Sequence, residues 1–302
     1  MTENGYLHPD YAESLRDFGR PRALPHSGGY VLERAIPGTV DRDAMGCYPL
    51  FCCANWEALG DDLRDLHDLV SVVCVVDPFS PCDRATLAGW FDVVIDFKTH
   101  FVTELTQPVE AIVSPSHQAT VRQVLRRINV EVCAEPAKHL DEWSILFNYL
   151  IQRRHITGIR AFSPAAFAHQ LALPGMVMFR ATSLDGQTIG MDLWYVQGDV
   201  AYGHLAAFSP RGYELRASYG TKWHVLRYFD GKVRWLDLAG ASGINPRSDD
   251  GLSVFKRGWA TGTRMARLCG KILDRPRYER LCAARGVGDT RYFPAYREGE
   301  FA

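Results

Sequence analysis

His204 lies in the run Val200 to Phe208, where Tyr202, His204 and Ala206 alternate onto one side of a strand. An imidazole titrates ordinarily near neutral pH and can act as a general base. A hydrogen-bonded core histidine is an equal reading. Asp237 stands between Leu236 and Leu238 in a run that reads as a buried strand. A carboxylate so placed is costly unless partnered, so its expected work is to orient a basic residue or the loop after the strand, rather than to act as a base. Arg211 and Arg257 suit phosphate, because guanidinium pairs bidentately with its oxygens; the plainer reading is that both are solvated. Lys256 follows Phe255 and precedes Arg257-Gly258-Trp259, a cation beside a glycine turn. Cys52-Cys53 offers thiols, yet no His or Asp is tied to the pair and Phe51-Cys-Cys-Ala reads as core. A thioester mechanism is therefore not expected. Tyr219 and Trp223, four apart on a helix, read as core packing.

The elements that must hold these residues alternate at first between helix and strand. Residues 11–18 read as a short amphipathic helix and 29–34 as a strand. Residues 56–69 read as a helix, with apolar residues at 56, 59, 63, 66 and 69. The β-branched run 70–76 suits a strand covered on both faces. A short helix at 85–91 and strands at 91–97 and 101–105 follow. Residues 116–128 and 140–154 read as helices, the first ending in Arg126-Arg127 at the negative end of its dipole, and Ser163-Pro164 opens a third. From Gly175 strands dominate, at 175–182, 188–195 and 200–208, the last two joined by a turn at Gly198. Residues 213–229 read as one helix, 233–238 and 264–268 as strands and 277–284 as a final helix. The class is mixed α/β, with a first domain at 1–115, a helical connector at 116–172 and a second domain at 173–302.

Composition agrees with a globular chain. Of 302 residues 47% are hydrophobic and 23% charged, enough to bury a core in one large or two ordinary domains. The start has neither a basic end nor an apolar stretch, and no apolar run approaches the ~20 residues of a membrane helix. Eight cysteines without a CxxC pair read as reduced thiols of a cytoplasmic protein. Ten histidines without HxH or HExxH spacing give no support for a metal site. The net charge of −1 hides an asymmetry: residues 211–302 hold 18 basic and 10 acidic side chains, a balance of +8, against −9 before them. Such a segregation suits a phosphate-bearing ligand; arginines decorating exposed faces are the alternative.

Three segments in order carry a resemblance. They are Ala217 to Tyr228, then Trp235-Leu-Asp237-Leu-Ala-Gly240, then Gly251-Leu-Ser-Val-Phe255-Lys256-Arg-Gly258-Trp259. This resembles the C-terminal half of Fem-type peptidyltransferases, in the GNAT superfamily, with their helix, Asp-x-x-Gly strand end and Phe-Lys-x-Gly-aromatic segment. The similarity spans about residues 175–270, and the first half resembles more weakly the divergent GNAT-like domain that Fem-like proteins place in front. It implies tandem GNAT-like domains, each a mixed sheet flanked by helices, and transfer of an acyl or aminoacyl group to an amine. It also implies that Lys256, beside Phe255, contacts the reacting ester or phosphate groups, where a cation stabilises an oxyanion. The strand of Tyr202 and His204 then borders the acyl cleft, where His204 or the substrate itself takes the amine's proton.

The donor is aminoacyl-tRNA or acyl-coenzyme A, with no tightly bound cofactor. The coenzyme A loop of GNAT proteins, Arg/Gln-x-x-Gly-x-Gly/Ala, corresponds to Ser209-Pro-Arg211-Gly212-Tyr-Glu214, whose first and last key positions differ. The helix start there still offers N–H groups to a phosphate, although Glu214 repels one. The broken loop, the Fem-type segment and the basic final third favour aminoacyl-tRNA, gripped without any coiled-coil insertion. The expected acceptor is an amine of a small molecule or peptide; no membrane partner is expected, and nothing in the sequence sets an oligomeric state. The rival readings are an acyl-coenzyme A-dependent enzyme and a non-catalytic module that kept the cleft and lost the chemistry.

Overall fold

The computed structural model of the chain describes residues 4–240, 251–288 and 290–300. In chain order the elements are α1 (Pro9–Glu13), β1 (Arg20–Leu24), β2 (Gly29–Ala35), β3 (Arg42–Gly46), α2 (Leu59–Asp65), β4 (Ser71–Val76), α3 (Arg84–Trp90), β5 (Val93–Glu104), α4 (Val109–Ile112), α5 (Pro115–Val124) and β6 (Ile128–Cys133). There follow α6 (Leu140–Arg154), α7 (Pro164–Leu171), β7 (Met176–Ser183), β8 (Thr188–Gln197), β9 (Val200–Phe208), α8 (Pro210–Glu214), α9 (Ala217–Phe229), β10 (Trp235–Gly240), α10 (Gly251–Arg257), β11 (Gly262–Ile272) and α11 (Arg275–Ala284). Mixed sheets flanked by helices make this the mixed α/β class. The chain divides into two compact units, one of residues 1–5 and 98–264, the other of 6–97 and 265–302. The division falls inside β5 and β11 rather than at 115 and 172, and the helices expected to form a connector, α5 to α7, lie wholly within the first unit.

The second unit orders its strands β1-β2-β3-β4-β11, with β3 and β4 parallel and the other neighbours antiparallel. Val72, Cys74 and Val76 of β4 pack with Leu59, Leu63, Leu66 and Leu69, the apolar stripe read from the sequence. That stripe is a 3-10 turn (Trp56–Ala58) followed by the shorter α2, not one continuous helix. All eight cysteines are free thiols.

The first unit orders its strands β5-β10-β9-β8-β7-β6. Val225, Leu226 and Phe229 of α9 pack against Phe179, Trp194, Ala201 and Leu236, laying the helix across the sheet. It carries the chain from β9 to β10, which pair in parallel, and the remaining neighbours are antiparallel. Two expectations fail here for local reasons. The strands expected at 91–97 and 101–105 are one strand, β5, whose polar middle stays extended and whose His100 pairs with Gly240. The helix expected over 213–229 is two, because Arg216 adopts φ +53° and breaks the run between α8 and α9.

Candidate active site

The parallel pair β9–β10 holds register only from Trp235↔Val200 to Asp237↔Tyr202. Beyond that β9 continues against β8, while β10 shifts register and Gly240 pairs with His100 of β5. The two strands therefore part at their C-terminal ends, the place where open α/β sheets bind ligands. Gly203 stands at the parting, where a Cβ would press on the Asp237 carbonyl at 3.1 Å.

Leu236 and Leu238 turn into the core beneath α9, so alternation sends Asp237 to the opposite face. Its buried carboxylate accepts from His100 Nδ1 at 2.8 and 3.0 Å and from the Ala239 N–H at 2.8 Å. One carboxylate thus orients an imidazole and shapes the strand end. Ala239 has φ +61°, unfavourable for a residue with a Cβ, and the Asp237–Ala239 bond compensates in the manner of an Asx turn. The bend presents the Gly240 carbonyl to Lys256, whose Nζ donates to it at 2.6 Å. Gly240 is flush against β5: a Cβ there would lie 3.4 Å from both His100 Cδ2 and Lys98 Cβ. Lysine, carbonyl, imidazole and carboxylate are joined in one short chain of contacts.

A second buried pair stands nearby. Lys222 of α9 binds Asp192 of β8 at 2.9 Å and lies over the Trp194 ring, whose Nε1 donates to the same carboxylate at 2.8 Å. Burial lowers the Lys256 pKa from the ordinary 10.5 to about 7; Lys222 and Lys98 push it further down, and Asp237 and Asp192 oppose them. Burial, with Arg160, also lowers Lys98. Lys256 at neutral pH is therefore poised between ammonium and amine. The arrangement can stabilise a developing oxyanion with the cation and accept a proton at His100 Nε2, the nitrogen that Asp237 does not hold.

The residues singled out in the sequence do not all meet here. His204 is buried on β9, bonded through Nε2 to Gln170 Oε1 at 3.1 Å, with the rings of Tyr195 and Phe162 beside it. Burial drives its pKa down to about 3, so it stays neutral and its bond is a core bond. Tyr202 is buried on the same strand. Arg211 is exposed and pairs with Glu214 at 3.0 Å. Gly212 packs too close to the Ile189 carbonyl for any side chain, and its N–H donates to the capping Ser209 hydroxyl, so the loop expected to offer N–H groups to a phosphate uses them itself. Arg257 is exposed at the end of α10, while Phe255 joins the aromatic wall under it. The loop expected after Gly240 lies outside the described residues. Cys52 and Cys53 are buried, and burial raises the Cys53 thiol far from reactivity.

Sequence reading missed His100, Lys98 and Lys222. The signal for His100 was its place in the gap between two apparent strands, opposite a buried carboxylate in need of a partner. Among the described residues no group of three or more His, Cys, Asp or Glu side chains is arranged to hold a metal.

The acetyltransferase (GNAT) domain family matches residues 116–257, from the first turn of α5 to the end of α10. No curated protein matches the chain in sequence. Among solved structures it is similar to FemX, with a TM-score of 0.66 at 15% identity over 91% of this chain and 94% of that one. It is similar also to the C-terminal domain of a putative lysylphosphatidylglycerol synthetase from Agrobacterium fabrum, with a TM-score of 0.60 at 13% identity over 86% and 87%. L-PGS from Bacillus licheniformis gives 0.57 at 12% identity over 96% and 100%. Residues 116–257 therefore match the acetyltransferase (GNAT) domain family, and the chain shares the fold of FemX.

Proposed function

We propose that this acyltransferase moves an activated aminoacyl group from tRNA onto an amine of a small molecule or peptide, in the cytoplasm. One observation carries the reading. Lys256, the Gly240 carbonyl and the His100–Asp237 pair meet where two parallel strands part. The amine attacks the ester carbonyl of the donor; the C–N bond forms as the ester C–O bond breaks. The amine's proton passes to His100 Nε2 and from there to the departing hydroxyl. Lys256 as a cation donates to the carbonyl oxygen as it becomes an oxyanion, and Asp237 stabilises the imidazolium.

Support for tRNA over coenzyme A comes from the loop Ser209–Glu214, whose N–H groups are taken up by its own cap and whose glycine is packed shut. The fold is shared with a lysylphosphatidylglycerol synthetase, a name that describes an aminoacyl group joined to a lipid. No helix among the described residues is long and apolar enough to cross a membrane. The test is mass spectrometry of the purified protein incubated with charged tRNA, acyl-coenzyme A and candidate amines. An aminoacyl amide formed only with charged tRNA supports the reading. An acyl amide formed from coenzyme A moves the donor, and ligand binding without product from either donor supports a non-catalytic module.

A further inference from the structure

Lys256 sits near the end of a helix of seven residues, too short to hold itself. What holds it is unusual in one respect. The His117 imidazole of α5 occupies the space that Gly258 leaves open: a Cβ on Gly258 would fall closer to three ring atoms than the 3.0 Å that real Cβ atoms keep. The Gly258 backbone is not in the left-handed region, and the three atoms nearest to such a Cβ all belong to the ring. From that position His117 Nε2 donates to the Phe255 carbonyl at 3.0 Å, one residue before Lys256. Tyr219, Phe255 and Trp259 surround the ring, with centroids at 5.0, 5.9 and 5.0 Å. The start of α5 adds a second tie, from the Ser114 N–H to the Gly258 carbonyl at 3.0 Å. The Thr103 hydroxyl adds a third, to the Trp259 carbonyl at 2.9 Å.

We propose that His117 is a positioning residue for Lys256, fixing the end of α10 so that the ammonium meets the Gly240 carbonyl, and that Gly258 is glycine in order to admit the ring. This rests on the catalytic reading of Lys256. Burial lowers the His117 pKa, so at neutral pH the ring is uncharged and works through its N–H and its shape. Among the described residues, the groups that act electrostatically on Lys256 are Lys222, Lys98, Asp237 and Asp192. A displaced α10 changes the distance of Lys256 from all four, and its titration reports that displacement.

The experiment has two readouts. The first is the pH dependence of Lys256 labelling by an amine-selective reagent, without substrate, measured by peptide mass spectrometry. The second is kcat/KM. In His117→Leu, which keeps bulk and loses the donor, the labelling midpoint moves by a unit or more and kcat/KM falls about tenfold; in His117→Gln, whose amide can replace the donor, both return toward wild type. Gly258→Ala lowers kcat/KM alone but is relieved when combined with His117→Ala, which empties the space. A folded His117→Leu with unchanged labelling midpoint and pH profile overturns the proposal, and so does a Gly258→Ala that is tolerated beside an intact His117. A shifted midpoint together with full activity of Lys256→Ala leaves the positioning in place and removes the catalytic reading instead.

Discussion

A lysine drawn into the protein is costly while it is charged, and among the described residues Lys256 has no carboxylate in hydrogen-bond contact: its hydrogen bond goes to a carbonyl. Its pKa of about 7, below the unfolded 10.5, means that the unfolded chain binds the extra proton between those values. Folding stability therefore rises with pH through that window, and the cost of the cation is fully present below about pH 7. Lys256→Ala is expected to cut kcat/KM by ~10²–10³, as loss of one oxyanion donor does. The same change leaves the protein at least as stable below pH 7, measured by urea unfolding. For the wild type, kcat/KM falls as pH rises through about 7, because the ammonium is the working form. Lys256→Arg, whose charge persists, abolishes that alkaline fall. An unchanged rate in folded Lys256→Ala would remove the residue from the mechanism. His100→Ala is expected to lose ~10²–10⁴ in single-turnover rate, the scale of a general base. Asp237→Asn follows it, since an amide still caps the Ala239 N–H but cannot stabilise an imidazolium. At near wild-type rate, folded His100→Ala would return the proton transfer to solvent or substrate. Lys256 was legible from its motif and Asp237 from its setting between two leucines. His100 was not, because its role depends on a register shift between strands 137 residues apart in sequence.

Elements with a strong period or a cap were legible. Residues 140–154 form α6 as read, and Ser163 caps α7. The hairpin of β8 and β9 turns at Gly198, which has φ +56°. Three strands escaped notice: β1, β3 and β6 mix polar and apolar residues and are defined by their neighbours. The helix read at 116–128 runs over Pro115–Val124. Ser114 caps it, and Arg126-Arg127 fall beyond its end. The break between α8 and α9 was invisible because Arg216 carries no sign of the left-handed conformation that it adopts. Its side chain is exposed, so the strain is not repaid by burial. Arg216→Gly is expected to stabilise the protein by a few tenths to about 1 kcal/mol, the left-handed penalty less glycine's extra unfolded freedom. A higher urea midpoint at unchanged slope is the outcome to look for, and a clear loss would mean that the arginine holds α9 through its side chain.

At the scale of the whole chain, the expected basic lobe takes a different form. Residues 211–302 do not form one body, because the division of units falls between residues 264 and 265. Several of their arginines are already paired with carboxylates, as in Arg227–Glu110, Arg234–Glu104 and Arg297–Asp43. Counted by unit, residues 1–5 and 98–264 hold 19 basic and 15 acidic side chains, a balance of +4, and the other unit holds 15 and 20, a balance of −5. The positive field therefore belongs to the unit that carries Lys256, and it owes part of its charge to arginines of α5 and α6 as well as to the final third. If that field grips tRNA, affinity must fall steeply with salt, since each neutralised phosphate releases counterions with a logarithmic slope near −0.9 for duplex and about −0.7 for single strands. A coenzyme A site contacts few phosphates and loses far less. The measurement is donor affinity from low to moderate salt. Arg257→Ala, next to Lys256, is expected to make the slope shallower by about one phosphate's worth. Arg211→Ala is expected to change it little, because Glu214 already neutralises that guanidinium. Saturable acyl-coenzyme A binding with no tRNA binding at low salt would overturn the tRNA reading, and the site would then be one for ordinary acyl-coenzyme A chemistry.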